Sequence, residues 1–115
     1  MNEGQASNGG GRKRRKKRPN QKVEHADLVS AINHGTRVAI LKIYFENSTT
    51  LSPKQLSDML DLQISVVSYH IRVLAEKNVL ELVEEEPVRG SVAHFYELPD
   101  VIRTTPWLLE SLDIN

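Results

Sequence analysis

Four polar side chains recur at helical spacing in the middle of the chain: Ser65, Ser68, Tyr69 and Arg72. Positions i, i+3, i+4 and i+7 lie side by side on one face of a helix. Short hydroxyls allow close approach to a surface. A tyrosine can bond a phosphate or contact a thymine methyl, and an arginine can bond a guanine edge or a phosphate. This face therefore favours a helix lying in the major groove of DNA. The alternative is an ordinary solvated face.

Other chemistry finds little support in the residues. The histidines, His25, His34, His70 and His94, are far apart and lack the close spacing of a ligand-bearing helix. The absence of cysteine excludes disulfides, thiol redox switching and cysteine metal sites. No phosphate-cradling glycine loop, nucleophile elbow or paired acid and base is present. We therefore expect no metal, no cofactor and no enzymatic activity, and we interpret His70 as a core-edge histidine that hydrogen-bonds locally.

The polar face needs a helix in a fixed position, and the preceding residues predict a helix-turn-helix. Ser52 is a good N-cap, Pro53 suits the first helical position, and Gln55 completes a capping box. An apolar face follows at helical spacing, formed by Leu56, Met59 and Leu60.

The helix is interrupted at Asp61–Gln63, where Leu62 is expected to point inward. A second helix is predicted at Ile64–Lys77, with a buried stripe formed by Val67, Ile71 and Leu74. Gln63 stands at its start, where backbone amides and the helix dipole favour a phosphate contact.

The segment LSPKQLSDMLDLQISVVSYHIRVLAEKNVL resembles the helix-turn-helix of the ArsR-type winged-helix repressors. Upstream, INHGTRVAIL is similar to the family's helix entry, and downstream VRGSVAHFYEL resembles its wing, so the likeness covers about Ala26–Leu98. The resemblance implies a small, usually dimeric, DNA-binding transcriptional regulator. ArsR-type sensors often carry thiolate or His/Asp ligands, yet LSPKQLSDML has no cysteine and the C-terminus has no histidine.

The formal net charge of zero conceals a strong asymmetry. Residues 1–22 contain eight Lys/Arg and one acid, which gives +7, and residues 23–115 contain seven and fourteen, which gives −7. We expect residues 1–22 to be a disordered tail. Its cations would add salt-sensitive, sequence-independent affinity for DNA. They are Arg12, Lys13, Arg14, Arg15, Lys16, Lys17 and Arg18. A solubilising tail or a nuclear-import patch is the alternative.

Two further helices are predicted before the helix-turn-helix. The first is Glu24–Asn33, with an apolar stripe formed by His25, Leu28, Val29 and Ile32. Thr36 can cap the second, Arg37–Glu46, which is apolar on most sides. A helix of that kind is buried, so we expect it to be the central core helix.

A β-hairpin wing is predicted after Asn78, which can take the left-handed position that ends a helix. Its strands would be Val79–Glu85 and Val92–Leu98, joined by a turn at Pro87, Gly90 and Ser91 with Arg89 at the tip. Arg89 is either a DNA contact or an exposed turn residue. The glutamates Glu84–Glu86 would repel phosphates, so they either face away from DNA or attract the basic tail.

The last predicted element is a short helix, Pro106–Leu112, with Thr105 as its cap. The single tryptophan, Trp107, would anchor it either on the chain's own first helix or across a dimer.

These observations predict a mainly α fold with a small β-hairpin, a winged helix-turn-helix, in one domain over residues 23–115. The wing is expected at about 79–98 and the short C-terminal helix at about 106–112. The expected function is sequence-specific binding of double-stranded DNA by a homodimer that regulates transcription. No apolar run approaches the ~20 residues that a membrane span needs. We therefore expect a cytoplasmic, nucleoid-associated protein. The rival interpretation is a winged-helix protein-interaction module localised by its basic tail.

Overall fold

The computed structural model describes residues 12–15 and 22–113. Its elements, in chain order, are β1 (Lys13–Arg14), α1 (His25–Ala31), α2 (Gly35–Asn47), α3 (Pro53–Leu60), α4 (Ile64–Glu76), β2 (Glu81–Val88), β3 (Ser91–Glu97), α5 (Asp100–Arg103) and α6 (Pro106–Ser111). The predicted fold class is confirmed, with one strand more than expected. The helices of residues 12–15 and 22–113 include none that could span a lipid bilayer.

Helix α2 is the centre of the core, as its composition predicts. Ile40, Leu41 and Tyr44 on this helix are fully buried. The Tyr44 hydroxyl donates a hydrogen bond to the Leu51 carbonyl at 3.0 Å, so the one polar atom among these side chains is satisfied. Burial raises the pKa of Tyr44. The helix begins two residues earlier than predicted, with His34 as its N-cap in place of Thr36. The Thr36 amide donates to His34 Nδ1 at 3.2 Å.

Helix α1 is shorter than predicted and buries a different stripe. Its buried residues are Leu28 and Ala31, with Ile32 half-buried at the C-cap. Val29 and His25 were expected on the buried face, but both are exposed. Leu28 and Ala31 are three positions apart and set the inward direction, so Val29, about 100° further round the helix, turns to solvent.

The sheet has the order β1-β2-β3 and is antiparallel throughout. β2 and β3 pair from Glu81↔Glu97 to Val88↔Ser91, with an irregularity between Leu82 and Glu84. Pro87 was expected in the turn but lies in β2 opposite Val92. The turn itself contains Arg89 and Gly90. Gly90 has φ +71°, a conformation that glycine adopts without a steric penalty.

The far edge of β3 is closed by Leu51, whose amide and carbonyl both bond to Tyr96 at 2.9 Å. This bridge fixes the hairpin to the start of the helix-turn-helix, because Leu51 immediately precedes the N-cap of α3. The wing is therefore held in a defined position beside α3 and α4.

The C-terminal region contains two short helices: α5, which was not predicted from the sequence, and α6, which was. Thr105 stands at the N-cap of α6 without a side-chain capping bond, and its hydroxyl donates to the Val101 carbonyl. The Trp107 ring lies 5.0 Å from the His25 ring of α1, measured between centroids. Trp107 therefore packs on the chain's own first helix, which was one of the two predicted alternatives.

Candidate nucleic-acid interface

Helix α3 begins with the predicted capping box. The Gln55 amide donates to Ser52 Oγ at 3.2 Å, and the Ser52 amide donates to Gln55 Oε1 at 2.9 Å. Pro53 occupies the first turn, where its missing N–H costs no hydrogen bond. Local residues therefore account for where α3 begins.

The turn between α3 and α4 differs from the prediction in its side chains. Leu62 was expected to point inward, but its side chain is 39% exposed. The corner is instead closed by Ser57, whose hydroxyl donates to the Leu62 carbonyl at 2.5 Å. The inward direction of α3 lies between Leu56 and Ser57, and Met59, about 110° from that direction, is 50% exposed although it belongs to the predicted apolar face.

The inner face of α4 is buried as predicted. Val67, Ile71 and Leu74 are all at most 1% exposed and belong to the main core. His70 is also buried, and its ring lies 4.3 Å from that of His34, measured between centroids. The depth and register of α4 are thus fixed by apolar packing against the rest of the domain.

Arg37 connects α4 to two other helices and was not singled out as a site residue. Its Nε donates to the Ala31 carbonyl at 2.9 Å and its Nη2 to the Ser30 carbonyl at 3.3 Å, at the C-terminal end of α1. Its Nη1 lies 3.1 Å from His70 Nδ1. A cation in the first turn of a helix that is apolar on most sides was the available sequence clue.

The contact with Arg37 determines which tautomer the neutral His70 ring adopts. An arginine can only donate, so Nδ1 must accept and the neutral ring carries its proton on Nε2. Burial is the main cause that lowers the pKa of His70, and His34 and Arg37 lower it further. His70 was expected to bond locally, but its partner is 33 positions away in sequence.

The outward face of α4 carries most of the residues predicted to contact DNA. Ser65, Tyr69 and Arg72 are exposed, with Tyr69 at 55%. Gln63 is exposed at the N-cap and makes no side-chain capping bond, so its amide group is not used by the helix. Nothing in the described part of the chain covers this face.

Ser68 is the exception on that face, because it is half-buried. It lines a groove of about 290 Å³ between the N-terminal half of α4 and the hairpin. The other side chains around the groove include the largely exposed Ile64, Val88 and Val92. Ser68 therefore stands where α4 and the wing meet, and it has less access to a ligand than Ser65 or Tyr69.

The two arginines predicted to contact DNA from the folded domain lie on different elements: Arg72 on α4 and Arg89 in the wing. Arg89 is exposed in the turn between β2 and β3, as predicted. Arg72 lies close enough to the sheet to affect Tyr96: burial raises the pKa of Tyr96, while the charges of Arg72 and Arg15 oppose that rise. Among the described residues neither Arg72 nor Arg89 forms an ion pair.

Part of the basic tail forms a strand, which differs from the expected disorder. Lys13 and Arg14 pair with Glu85 and Glu84 of β2, and the Arg15 amide donates to the Val83 carbonyl at 2.6 Å. A free edge of β2 with unpaired backbone groups accepts the extended segment. Lys16, Lys17 and Arg18 lie outside the described residues, as do residues 1–11.

The tail cations meet the glutamates of β2, which was one of the two predicted alternatives. Arg14 Nη1 lies 2.9 Å from Glu84 Oε2, and Arg12 Nη1 lies 3.3 Å from Glu84 Oε1. Arg15 Nη1 lies 3.8 Å from Glu85 Oε2. The Arg12 guanidinium also sits 3.8 Å from the centre of the Phe95 ring, a cation–π arrangement.

No group of three or more histidine, aspartate or glutamate side chains among the described residues is arranged to hold a metal ion.

Helices α2 to α4 followed by the β2–β3 hairpin define a winged helix-turn-helix domain, a class of DNA-binding domain. The comparisons agree with this class. A family model described as winged helix-turn-helix DNA-binding matches residues 34–81, from the N-cap of α2 to the start of β2.

Among solved structures, HlyU from Vibrio cholerae N16961 is similar, with a TM-score of 0.57 and 25% identity over 76% of this chain and 88% of that one. Reduced HlyU from the same organism gives the same TM-score and identity over 85% of its length. No curated protein sequence matches the chain significantly.

Proposed function

We propose that this protein is a sequence-specific regulator of transcription, similar to the ArsR-type repressors, that places α4 in the major groove of double-stranded DNA. The observation that carries the proposal is the outward face of α4. It is uncovered, while the inner face is held by the core, so the helix is both rigid and available. A rigid element with an exposed polar face is what groove recognition needs.

The proposed contacts follow from the position of each side chain. Ser65, Tyr69 and Arg72 approach base edges, with Ser68 nearer the wing, and Gln63 contacts the backbone at the helix start. Arg89 takes a phosphate or minor-groove contact from the tip of the wing. The tail cations, Arg12 to Arg18, add affinity that does not depend on sequence.

The proposal includes a homodimer acting on an inverted repeat, on the nucleoid. Two copies related by a twofold axis would place two α4 helices about one DNA turn apart, roughly 34–36 Å. Sedimentation equilibrium of the full chain, alone and with bound DNA, tests this part. A strict monomer in both conditions would remove the dimer from the proposal.

Selection of bound fragments from a random DNA pool tests the function directly. A regulator enriches one motif, with twofold symmetry if it acts as a dimer. Recovery of unenriched sequence would mean that the chain binds DNA only through its charge. No recovery above background would contradict DNA binding altogether.

The rival function is a protein-interaction module, and one observation favours it. Met59, Leu62, Ile64 and Val66, around the turn of the helix-turn-helix, are each 39–50% exposed, and grouped apolar side chains often mark protein contacts. Replacing Met59 and Leu62 by Gln separates the two functions. The interaction module loses its partner, while a regulator keeps its selected DNA motif.

A further inference from the structure

The outer edge of β2 is acidic and is occupied by the chain's own basic segment. Glu84 accepts ion pairs from both Arg12 and Arg14, and its side chain is only 13% exposed. Glu85 faces the other side of the strand, where it meets Arg15 at 3.8 Å and His94 at 3.4 Å. Both faces of the edge therefore bind a tail cation.

The backbone register explains why the charges match. Arg14 stands opposite Glu84 and Lys13 opposite Glu85, so alternate tail side chains fall on alternate faces of the sheet. Arg12, two positions before Arg14, returns to the face of Glu84 and covers the Phe95 ring. Main-chain pairing, charge and the cation–π contact all favour an arginine-rich extended segment at this edge.

We propose that this acidic edge competes with DNA for the tail. The edge holds Arg12, Arg14 and Arg15 in the free protein and thereby lowers affinity for DNA of arbitrary sequence. A duplex bound through α4 then takes the segment over. This inference rests on the proposed function, because it requires that the chain binds duplex DNA.

The competition follows from geometry and from the strength of the contacts. The Arg14 guanidinium lies 2.9 Å from Glu84 Oε2, so the carboxylate offsets its charge and holds it at the β2 edge, and it offers less net charge to a phosphate. The side chains of Arg12, Arg14 and Arg15 are 44–54% exposed, and exposed ion pairs are weak and screened by salt. Contacts to DNA phosphates gain from the release of condensed counterions, so a nearby duplex can displace the glutamates.

A double-mutant cycle in the full-length chain tests the proposal. The first change is Glu84→Gln, which removes the charge but keeps the oxygen that accepts from the Thr50 hydroxyl. The second is a neutral segment, with Arg12→Gln, Arg14→Gln and Arg15→Gln together. Affinity for a random-sequence duplex is measured at one low salt concentration for the native chain, each variant and the combination.

The proposal expects coupling between the two changes. Glu84→Gln should tighten binding by roughly two- to fivefold more in the native background than in the neutral-segment background, because only the native segment is released. Glu110→Gln, on α6 and outside the sheet, is the matched control for loss of one negative charge. It should have the same small effect in both backgrounds.

The outcomes separate the two proposals. Equal effects of Glu84→Gln in both backgrounds would mean simple charge repulsion and would overturn the competition, while DNA binding would stand. Absence of duplex binding by every variant would overturn both.

Amide chemical shifts give a second measurement that does not depend on affinity. In the free protein, the neutral segment should shift the signals of Glu84–Glu86, and these shifts should not vary with protein concentration. Saturating random duplex should move the native signals towards those of the neutral-segment variant. Signals that keep their free-protein positions at saturation would overturn the proposal.

Discussion

Helix α4 and strand β1 both carry arginines that could meet DNA, but they are held by different interactions. α4 is held through Val67, Ile71 and Leu74, which are buried in the main core, while its Arg72 is exposed. β1 is held at the surface by the pairing of two residues and by ion pairs to Glu84 and Glu85. Helix α4 therefore has a fixed position and an arginine that is free to meet DNA. Strand β1 is weakly held, and its arginines are already paired with glutamates.

This difference shows that a count of cations does not measure the charge available to DNA. Residues 1–22 sum to +7 and the body to −7, which suggests that the tail dominates any attraction to DNA. In the described structure, however, the tail cations Arg12, Arg14 and Arg15 form ion pairs with glutamates of β2. Arg72 and Arg89 form no ion pair among the described residues. Apolar packing is insensitive to salt and ion pairs are not, so the two regions should also respond differently to solution conditions.

Among the changes considered, loss of core packing under α4 should have the largest effect, and this effect should be on stability. Ile71 is 1% exposed, and Ile71→Ala should lower the free energy of unfolding by about 2–5 kcal/mol because it leaves a cavity. Tyr69→Ala on the outward face of the same helix is the control, with an expected change within about 0.5 kcal/mol. Urea denaturation followed by circular dichroism measures both. Similar losses for the two variants would show that α4 is not anchored through one face.

Arg72→Ala should give the next largest effect, on binding alone. We expect specific DNA binding to weaken by about 1–3 kcal/mol, with stability unchanged, because the exposed guanidinium contacts a base edge or phosphate. Lys42→Ala, which removes a cation from α2, is the matched control. Fluorescence anisotropy with the selected motif and with a scrambled duplex measures the change. Equal weakening on both duplexes would assign Arg72 to the DNA backbone.

Much of this comparison could be predicted from the sequence where local rules decide. The capping box at Ser52 and Gln55, the buried stripe of α4 and the left-handed Asn78 each depend on neighbours within a few positions. The inward positions predicted for Val29 and Leu62 were wrong, and Met59 is exposed although it lies on the predicted apolar face, for one shared reason. Spacing identifies an apolar face, but which part of it is buried depends on the packing of the other helices.

The parts that could not be predicted depend on contacts between distant residues. Arg37 reaches His70 across 33 positions, and Arg14 reaches Glu84 across 70. The charge asymmetry suggested the second contact as an alternative, but only a register on the β2 edge turns opposite charges into a strand. The DNA contacts of α4 and the wing remain predictions, since they depend on a partner outside the chain.

The pH dependence of stability sharpens the comparison further, because Arg37 and His70 are the polar part of the α4 anchor. The pKa of His70 is lowered in the folded state, so the unfolded chain binds the proton more readily. The stabilising contribution is therefore complete above the unfolded value of about 6.5 and is lost as the pH falls through the folded pKa. Urea midpoints between about pH 8 and about pH 5 should fall, and His70→Gln should flatten that fall. An unchanged slope in the variant would locate the titration elsewhere.

Salt should give the smallest effect, and it should loosen β1 without changing the core packing that holds α4. In each tail ion pair at least the arginine side chain is exposed, so the pair should contribute less than ~1 kcal/mol to the stability of the contact. Raising the salt concentration from about 0.05 M to about 0.5 M shortens the screening length well below 10 Å. Amide exchange at Lys13 to Arg15 should then accelerate, while exchange at Ile71 and Leu74 stays constant because apolar packing holds α4. If exchange in the tail did not depend on salt, backbone pairing and the Arg12–Phe95 contact would be what holds β1. The glutamates would then serve mainly to reduce the net positive charge that the tail presents to DNA.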